Sequence, residues 1–363
     1  MSDAVWALGL MSGTSMDGID AALLRTDGTA VLEWGPFLTR PYSAAFRARL
    51  AACLGGRGET EAVERELTDL HAEAVEALLA QEGLPSRAVS LIGFHGHTIL
   101  HEPHKRRTWQ LGDGLRLARR LGIDVVADFR SADVAAGGEG APLVPVVHAA
   151  LARDLDKPLA VLNVGGVANV TWIGPARGDE RPALLAFDVG SGNALLDDWA
   201  MRHTGRPVDE DGALARAGRA DAAIVAAYFR HPFFAAPPPK SLDRDAFSLE
   251  PLAALSAADG AATLVAFGAE AVARAGAHFA APPRRWLVTG GGRRNPVLMA
   301  AYGVRLGVPV EPVEAVGWNG DALEAQAFAV LAVRSARGLP ISFPETTRAP
   351  RPLTGGRLFR ARD

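Results

Sequence analysis

The stretch Gly9-Leu10-Met11-Ser12-Gly13-Thr14-Ser15-Met16-Asp17-Gly18 decides how the rest of the chain is read. It joins two apolar runs, residues 5–10 and 19–24, through a turn whose glycines and hydroxyls offer backbone N–H and side-chain O–H groups to an anion. Taken alone it supports two readings, a phosphate cradle and a hairpin turn of small polar residues.

Composition narrows the field. A chain of 363 residues exceeds the size at which one core usually stops growing, so two lobes with a ligand site between them are expected. Hydrophobic residues make up 48% and charged residues 22%, and the formal net charge is −3, without the positive excess of a nucleic-acid binder. Cys53 is the only cysteine, which rules out an intrachain disulfide or a multi-cysteine zinc site, and it reads as inert packing. The start, Met1-Ser2-Asp3 running into an apolar strand, lacks a signal peptide's basic region and apolar core. The most apolar long segment, 261–281, carries Glu270, Arg274 and His278, which argues against a membrane span, so a cytoplasmic protein is expected. No Gly-Lys pair occurs, which excludes a Walker-type P-loop, and Gly-x-Gly-x-x-Gly and Gly-x-Ser-x-Gly are both absent.

Along the chain, residues 59–82 read as an amphipathic helix, with Val63, Leu67, Leu70, Ala74 and Leu78 at three- and four-residue steps. Two short apolar runs follow. Residues 89–94 are expected to deliver His95-Gly96-His97-Thr98 at a strand end, and residues 123–127 to deliver Asp128-Phe129-Arg130. The Gly- and Pro-rich stretch 135–145 reads as the approach to a lobe boundary, giving lobes of 1–135 and 136–363, with the C-terminal segment able to pack back on the first. Residues 159–173 then repeat the opening plan of apolar run, Gly165-Gly166 turn and apolar run. The run 183–187 leads into Asp188-Val189-Gly190-Ser191-Gly192-Asn193 and a helix over 194–202. Strand, glycine loop and helix N-terminus together make an anion site through unpaired first-turn amides. A helix over about 260–281 precedes the strand 286–289 and Gly290-Gly291-Gly292-Arg293-Arg294-Asn295. Residues 321–337 read as a helix boxed by Asp321 and Glu324, and the tail from Pro340 as irregular.

Any one glycine loop has a plain explanation, but their order is informative. A phosphate loop in the first hairpin, another after Asp188 and a glycine turn near Gly290 are the parts needed to hold a nucleotide across a cleft. The chain therefore resembles the superfamily of actin, the heat-shock chaperone ATPases and the sugar kinases, an α/β class in which two lobes close over ATP. Within it the chain resembles the anhydro-N-acetylmuramic acid kinase family. Residues 9–18 match its opening signature, and the likeness continues through His95-Gly96, Asp128-Phe129-Arg130, residues 140–145, Asn163-Val164-Gly165-Gly166, Phe187-Asp188, Lys240-Ser241, the Gly290 turn with Asn295, and Glu324-Ala325.

That resemblance implies an ATP- and Mg2+-dependent enzyme of peptidoglycan recycling. Such an enzyme opens 1,6-anhydro-N-acetylmuramic acid with water and phosphorylates O6, giving N-acetylmuramic acid 6-phosphate. It implies Asp188 as the base, and Ser12, Gly13, Thr14, Ser15, Asp17, Gly18, Gly165, Gly190 and Gly192 around the phosphates. Gly291, Gly292 and Asn295 are expected beside adenosine, and His95, Arg130 and Glu324 on the sugar. The superfamily usually carries an aspartate two residues before the first phosphate-loop glycine. Met11 stands there, so metal ligation falls to Asp17 or Asp188. The partners expected are the amino sugar and ATP, with neither nucleic acid nor membrane, and a homodimer is allowed. Two rivals remain at this point. One is a metal-dependent hydrolase using His95-Gly96-His97 with His101 and His104, and the other is a non-catalytic ATP-binding module.

Overall fold

The computed structural model of the protein describes residues 4–13, 15–176 and 181–362. Thr14, expected among the phosphate-binding residues, lies outside them. The chain divides into two compact units, Met1–Asp154 with Ala322–Asp363, and Leu155–Asp321. The Gly- and Pro-rich stretch 135–145 thus falls inside the first unit, and the C-terminal segment belongs to that unit as well.

The first unit is built on strands β1 (Val5–Ser12), β2 (Gly18–Thr26), β3 (Val31–Pro41), β4 (Leu91–Glu102), β5 (Arg107–Leu111) and β6 (Val125–Ala127), with β12 (Arg357–Phe359) returning from the C-terminus. Their order is β3-β2-β1-β4-β6-β12, and β5 pairs with β4. Strand β2 runs antiparallel to both β1 and β3, whereas β4 and β6 run parallel to β1. The second unit has β7 (Leu159–Val164), β8 (Val167–Ile173), β9 (Leu184–Ser191), β10 (Trp286–Thr289) and β11 (Val310–Pro312) in the order β9-β8-β7-β10-β11. Again three antiparallel strands precede two parallel ones. The repeat of apolar run, glycine turn and apolar run is therefore a repeat of sheet topology.

Helices cover these sheets. Helix Thr60–Gln81 buries Val63, Leu67, Ala74 and Leu78, as the spacing predicts, with Leu70 half-buried. Helix Leu323–Ala336 lies so close over β1 and β4 that only glycine fits beneath it. A Cβ on Gly9 would stand 1.7 Å from the Ala325 carbonyl oxygen, and one on Gly93 would stand 2.0 Å from that of Phe328. Gly9 and Gly93 are partners in the parallel β1–β4 ladder, so the helix rests on a shared notch.

Several boundaries differ from expectation, each for a physical reason. His95-Gly96-His97-Thr98 do not follow a strand but lie within β4. The chain turns at Gly96, whose φ is +71°, and residues 97–102 continue because β5 offers a new antiparallel partner. Asp188, Gly190 and Ser191 are likewise ladder residues of β9, opposite Asn169, Ala168 and Val167, not a free glycine loop. Gly190 admits helix Ala257–Ala275, because a Cβ there would stand 3.1 Å from Ala271 Cβ. That helix starts and stops earlier than 260–281, capped by the Ser256 hydroxyl on the Asp259 amide. Helix Leu323–Ala336 has Ala322 at its N-cap and no side-chain cap, because Asp321 is held by Arg293 and Arg294 instead. The tail is not irregular throughout, since β12 pairs with β6.

Candidate active site

In the first unit, the end of β1 meets the bend of β4, and Ser12 is paired with His97 across the ladder. The Tyr42 hydroxyl donates to Ser12 Oγ at 2.8 Å, and Ser12 Oγ shares a hydrogen bond of 2.9 Å with His97 Nδ1. The other ring nitrogen, Nε2, is buried and has no hydrogen-bond partner among the described residues. Burial pushes the pKa of His97 down to about 4. Ser12 was expected to face phosphate; its side chain is buried and bonded within the protein. Beyond it, Met16 N–H closes a turn onto the Gly13 carbonyl at 3.0 Å, and exposed Ser15 donates to Asp17 Oδ1 at 2.9 Å. Gly13 leaves space, because a Cβ there would meet nothing nearer than Ser15 Oγ at 3.5 Å. Gly18 does not, because a Cβ would stand 2.5 Å from the Arg40 carbonyl oxygen of β3. Its glycine is set by strand pairing.

His95, Arg130 and Glu324, far apart in sequence, come together in this unit. Arg130 donates from Nε and Nη2 to His95 Nε2 at 3.1 and 3.0 Å, and from Nη1 to the Gly140 carbonyl at 2.8 Å. With its Nε2 accepting, His95 donates from Nδ1 to the Gly96 carbonyl at 2.8 Å. Burial, and then the adjacent guanidinium, hold His95 well below the ordinary histidine range, so it is neutral. Burial lowers Arg130 to about 10, against the upward pull of Glu324 and Asp133, and it remains a cation at neutral pH. Of the N–H groups on an arginine, one on Nη1 and one on Nη2 are left for a ligand, as a carboxylate requires.

In the second unit, three glycine-bearing segments converge. The β7–β8 turn carries Gly165-Gly166, the end of β9 carries Gly192-Asn193, and β10 runs into Gly290-Gly291-Gly292. The amides of Gly192, Asn193 and Ala194 donate to the carbonyls of Gly166, Gly165 and Gly166 at 2.9, 2.7 and 3.2 Å. The first amide of helix Ala194–Thr204, that of Ala194, is thus taken by the facing turn. Space lies on the turn instead, where a Cβ on Gly165 or Gly166 would find its nearest neighbour at 3.6 or 3.8 Å. Gly192 is packed, its Cβ position 2.2 Å from the Gly165 carbonyl oxygen. Gly291 is open toward Asn193, whereas Gly292 is filled by Val164. Asn295 caps helix Pro296–Leu306 by accepting from the Val297 and Leu298 amides at 3.0 and 3.1 Å.

Asp188 stands on β9 in this unit. Its amide donates to the Lys240 carbonyl at 2.9 Å, and its Oδ2 accepts from the Leu242 amide at 2.8 Å. The carboxylate does not cap helix Ala194–Thr204. Burial raises its pKa to about 7, the Leu242 hydrogen bond opposing and Asp243 adding to the rise.

Two contributors escaped the sequence reading. Arg293 is nearly buried, bonds the Gly290 carbonyl at 3.1 Å and pairs with Glu314 and Asp321 at 2.9 Å each, which braces the glycine turn. Its position after three glycines was the available signal. Tyr42 has no local motif and is found only through β3's return to Ser12.

The histidine-metal alternative gains no support. Both His95 nitrogens and His97 Nδ1 are engaged, and a guanidinium sits against His95. Among the described residues no group of three or more His, Cys, Asp or Glu side chains is placed to hold a metal, and no helix is long and apolar enough to cross a membrane.

Comparison with known proteins gives the family and the fold. The family model described as anhydro-N-acetylmuramic acid kinase matches residues 5–361. An anhydro-N-acetylmuramic acid kinase of Rhodospirillum rubrum is 61% identical over 99% of this chain and 95% of its own length. One from Paramagnetospirillum magneticum is 60% identical over 97% and 98%. Among solved structures, component A of the Acidaminococcus fermentans (R)-2-hydroxyglutaryl-CoA dehydratase covers 92% of this chain and 99% of its own at 11% identity, with a TM-score of 0.51, a likeness of fold. The two-sheet α/β architecture is the fold shared with that dehydratase component. On its sequence and across nearly its whole length, the chain belongs to the anhydro-N-acetylmuramic acid kinase family.

Proposed function

We propose that this ATP-dependent kinase opens 1,6-anhydro-N-acetylmuramic acid with water and phosphorylates it, with Asp188 as general base. Water attacks the anomeric carbon, the bond from that carbon to O6 breaks, and O6 takes the γ-phosphoryl group of ATP. The proton lost by water goes to Asp188, and ADP leaves. The observation that carries this reading is the state of Asp188. Its carboxyl is held by one backbone amide and raised by burial to about 7, where it can both accept and release a proton at neutral pH.

The remaining roles follow the chemistry of each site. Arg130, with an N–H free on each terminal nitrogen and His95 behind it, grips the lactyl carboxylate, and Glu324 completes the sugar site. The open turns at Gly13 and at Gly165-Gly166 receive phosphate, with Ser15 and Asp17 beside the first of them. Gly291 and the Gly290 turn receive adenosine. Asp17 or Asp188 would hold magnesium, together with ATP phosphates and water. Bound there it would offset charge on the transferred phosphoryl group. Peptidoglycan recycling in the cytoplasm is the setting this reaction implies.

The test is Asp188→Asn. It should bind ATP as the native protein does yet lose nearly all turnover; turnover near the native rate would remove Asp188 as the base.

A further inference from the structure

We propose that Asp133 and Thr347 are positioning residues for sugar recognition, because together they fix the Gly140 carbonyl that holds Arg130. The proposal rests on the reading of Arg130 as a ligand of the substrate carboxylate.

A guanidinium can present two N–H groups to a carboxylate only if its plane is fixed, and Arg130 is fixed from two sides. His95 anchors one edge, and the Gly140 carbonyl anchors Nη1 at 2.8 Å. The Gly140 carbonyl belongs to a tight turn following helix Ser131–Ala136, and every amide of the turn is tied down. Gly138 donates to the Asp133 carbonyl at 2.9 Å and Glu139 to the Thr347 carbonyl at 2.6 Å. Gly140 donates to Asp133 Oδ1 at 2.7 Å. The other carboxylate oxygen, Oδ2, accepts from Thr347 Oγ at 2.7 Å. Thr347 Oγ also lies 3.3 Å from the Phe343 carbonyl, so its single proton favours the nearer, charged acceptor.

Asp133 and Thr347 are both buried, at 2% and 0% exposure. A buried carboxylate persists only when its oxygens are bonded, and here each oxygen has one strong partner. The turn also cannot slide over Asp133. A Cβ on Gly138 would stand 2.1 Å from Asp133 Oδ1, and Gly140 adopts a φ of +68° that favours glycine. Thr347, 214 positions from Asp133 in sequence, thereby acts on Arg130 through Asp133 and Gly140. The C-terminal segment of the first unit so takes part in holding the sugar-binding arginine without touching substrate.

The test is steady-state kinetics of the full-length protein, with the anhydro sugar and ATP varied separately. Arg130→Ala sets the scale and tests the underlying reading; an unchanged KM for sugar there would overturn the role of Arg130 itself. Given a raised KM in that variant, Thr347→Val, which removes only the hydroxyl, should raise the KM for sugar by about tenfold. The KM for ATP should stay within about twofold. Thr347→Ser should restore the native KM, and Asp133→Ala, which removes the acceptor of both the Gly140 amide and the Thr347 hydroxyl, should raise the KM for sugar at least as far as Thr347→Val does; an unchanged KM for sugar in a folded Asp133→Ala protein would overturn the part given to Asp133. If Thr347→Val does not fold, Thr347→Ala carries the same expectation. An unchanged KM for sugar in a folded Thr347 variant, equal changes in both KM values, or failure of serine to restore the native value would overturn the positioning role.

Discussion

The backbone amide of Leu242 donates to Asp188 Oδ2 at 2.8 Å, while the Asp188 amide donates back to the Lys240 carbonyl at 2.9 Å. The segment 240–242 thus clamps the strand that carries the carboxylate. One hydrogen bond does not offset the burial of a charge, and the carboxyl titrates near neutrality.

For Asp188 the pKa of about 7 lies above its ordinary 3.8, so the folded protein binds a proton that the unfolded chain releases between these values. Stability should therefore fall as pH rises through that window, the reverse of a salt-bridged carboxylate. Asp188→Asn should melt higher than the native protein at pH values above about 7 and level with it below about 4. Equal melting temperatures across the window would mean the carboxyl is not raised. In the native protein, kcat/KM for the sugar should fall on the acid side with an apparent pKa of about 7.

Ser12 links Tyr42 to His97 in a buried chain. Ser12→Ala leaves His97 Nδ1 without its hydrogen-bond partner beside an already unpartnered Nε2, and should cost about 1–3 kcal/mol by urea denaturation. If Ser12 served phosphate alone, stability would be unchanged and only ATP affinity would fall.

Gly165 and Gly192 should respond oppositely to alanine. Gly165→Ala meets nothing nearer than 3.6 Å within the protein, so it should fold normally and weaken ATP binding by obstructing the turn. Gly192→Ala places a Cβ 2.2 Å from the Gly165 carbonyl oxygen and should lose stability by about 1–3 kcal/mol or more. Thermal melting with ATP titration separates the two, and matching behaviour would contradict the packing described.

Asn295 caps helix Pro296–Leu306, so Asn295→Ala should cost about 1 kcal/mol. Asn295→Asp keeps the cap and should leave the melting temperature unchanged while raising the KM for ATP, if the residue also lies beside adenosine. An unchanged KM would confine Asn295 to the cap.

Much of the fold was legible because apolar runs and glycine turns report strands directly. The strands β7 and β10 match the expected runs, and the repeat of the opening plan is a repeat of topology. What a local pattern cannot show is a long-range partner. Strand β4 runs on past Gly96 because β5 pairs with it, and β9 runs through Asp188 and Gly190 because β8 does. Asp321 looked like a cap, but an arginine almost thirty residues earlier claims it. In the candidate site, His95 and Arg130 were readable as a pair of types, and their direct bond was not. Ser12 shows the converse, where a hydroxyl in a phosphate-like motif is used internally.

The most direct test of the central claim is to incubate the protein with ATP, magnesium and 1,6-anhydro-N-acetylmuramic acid, following ADP and the mass of the product. One ADP should form per sugar consumed, and the product should gain one phosphate and one water. ADP release at the same rate without sugar, or a phosphorylated product that keeps its anhydro bridge, would contradict the account.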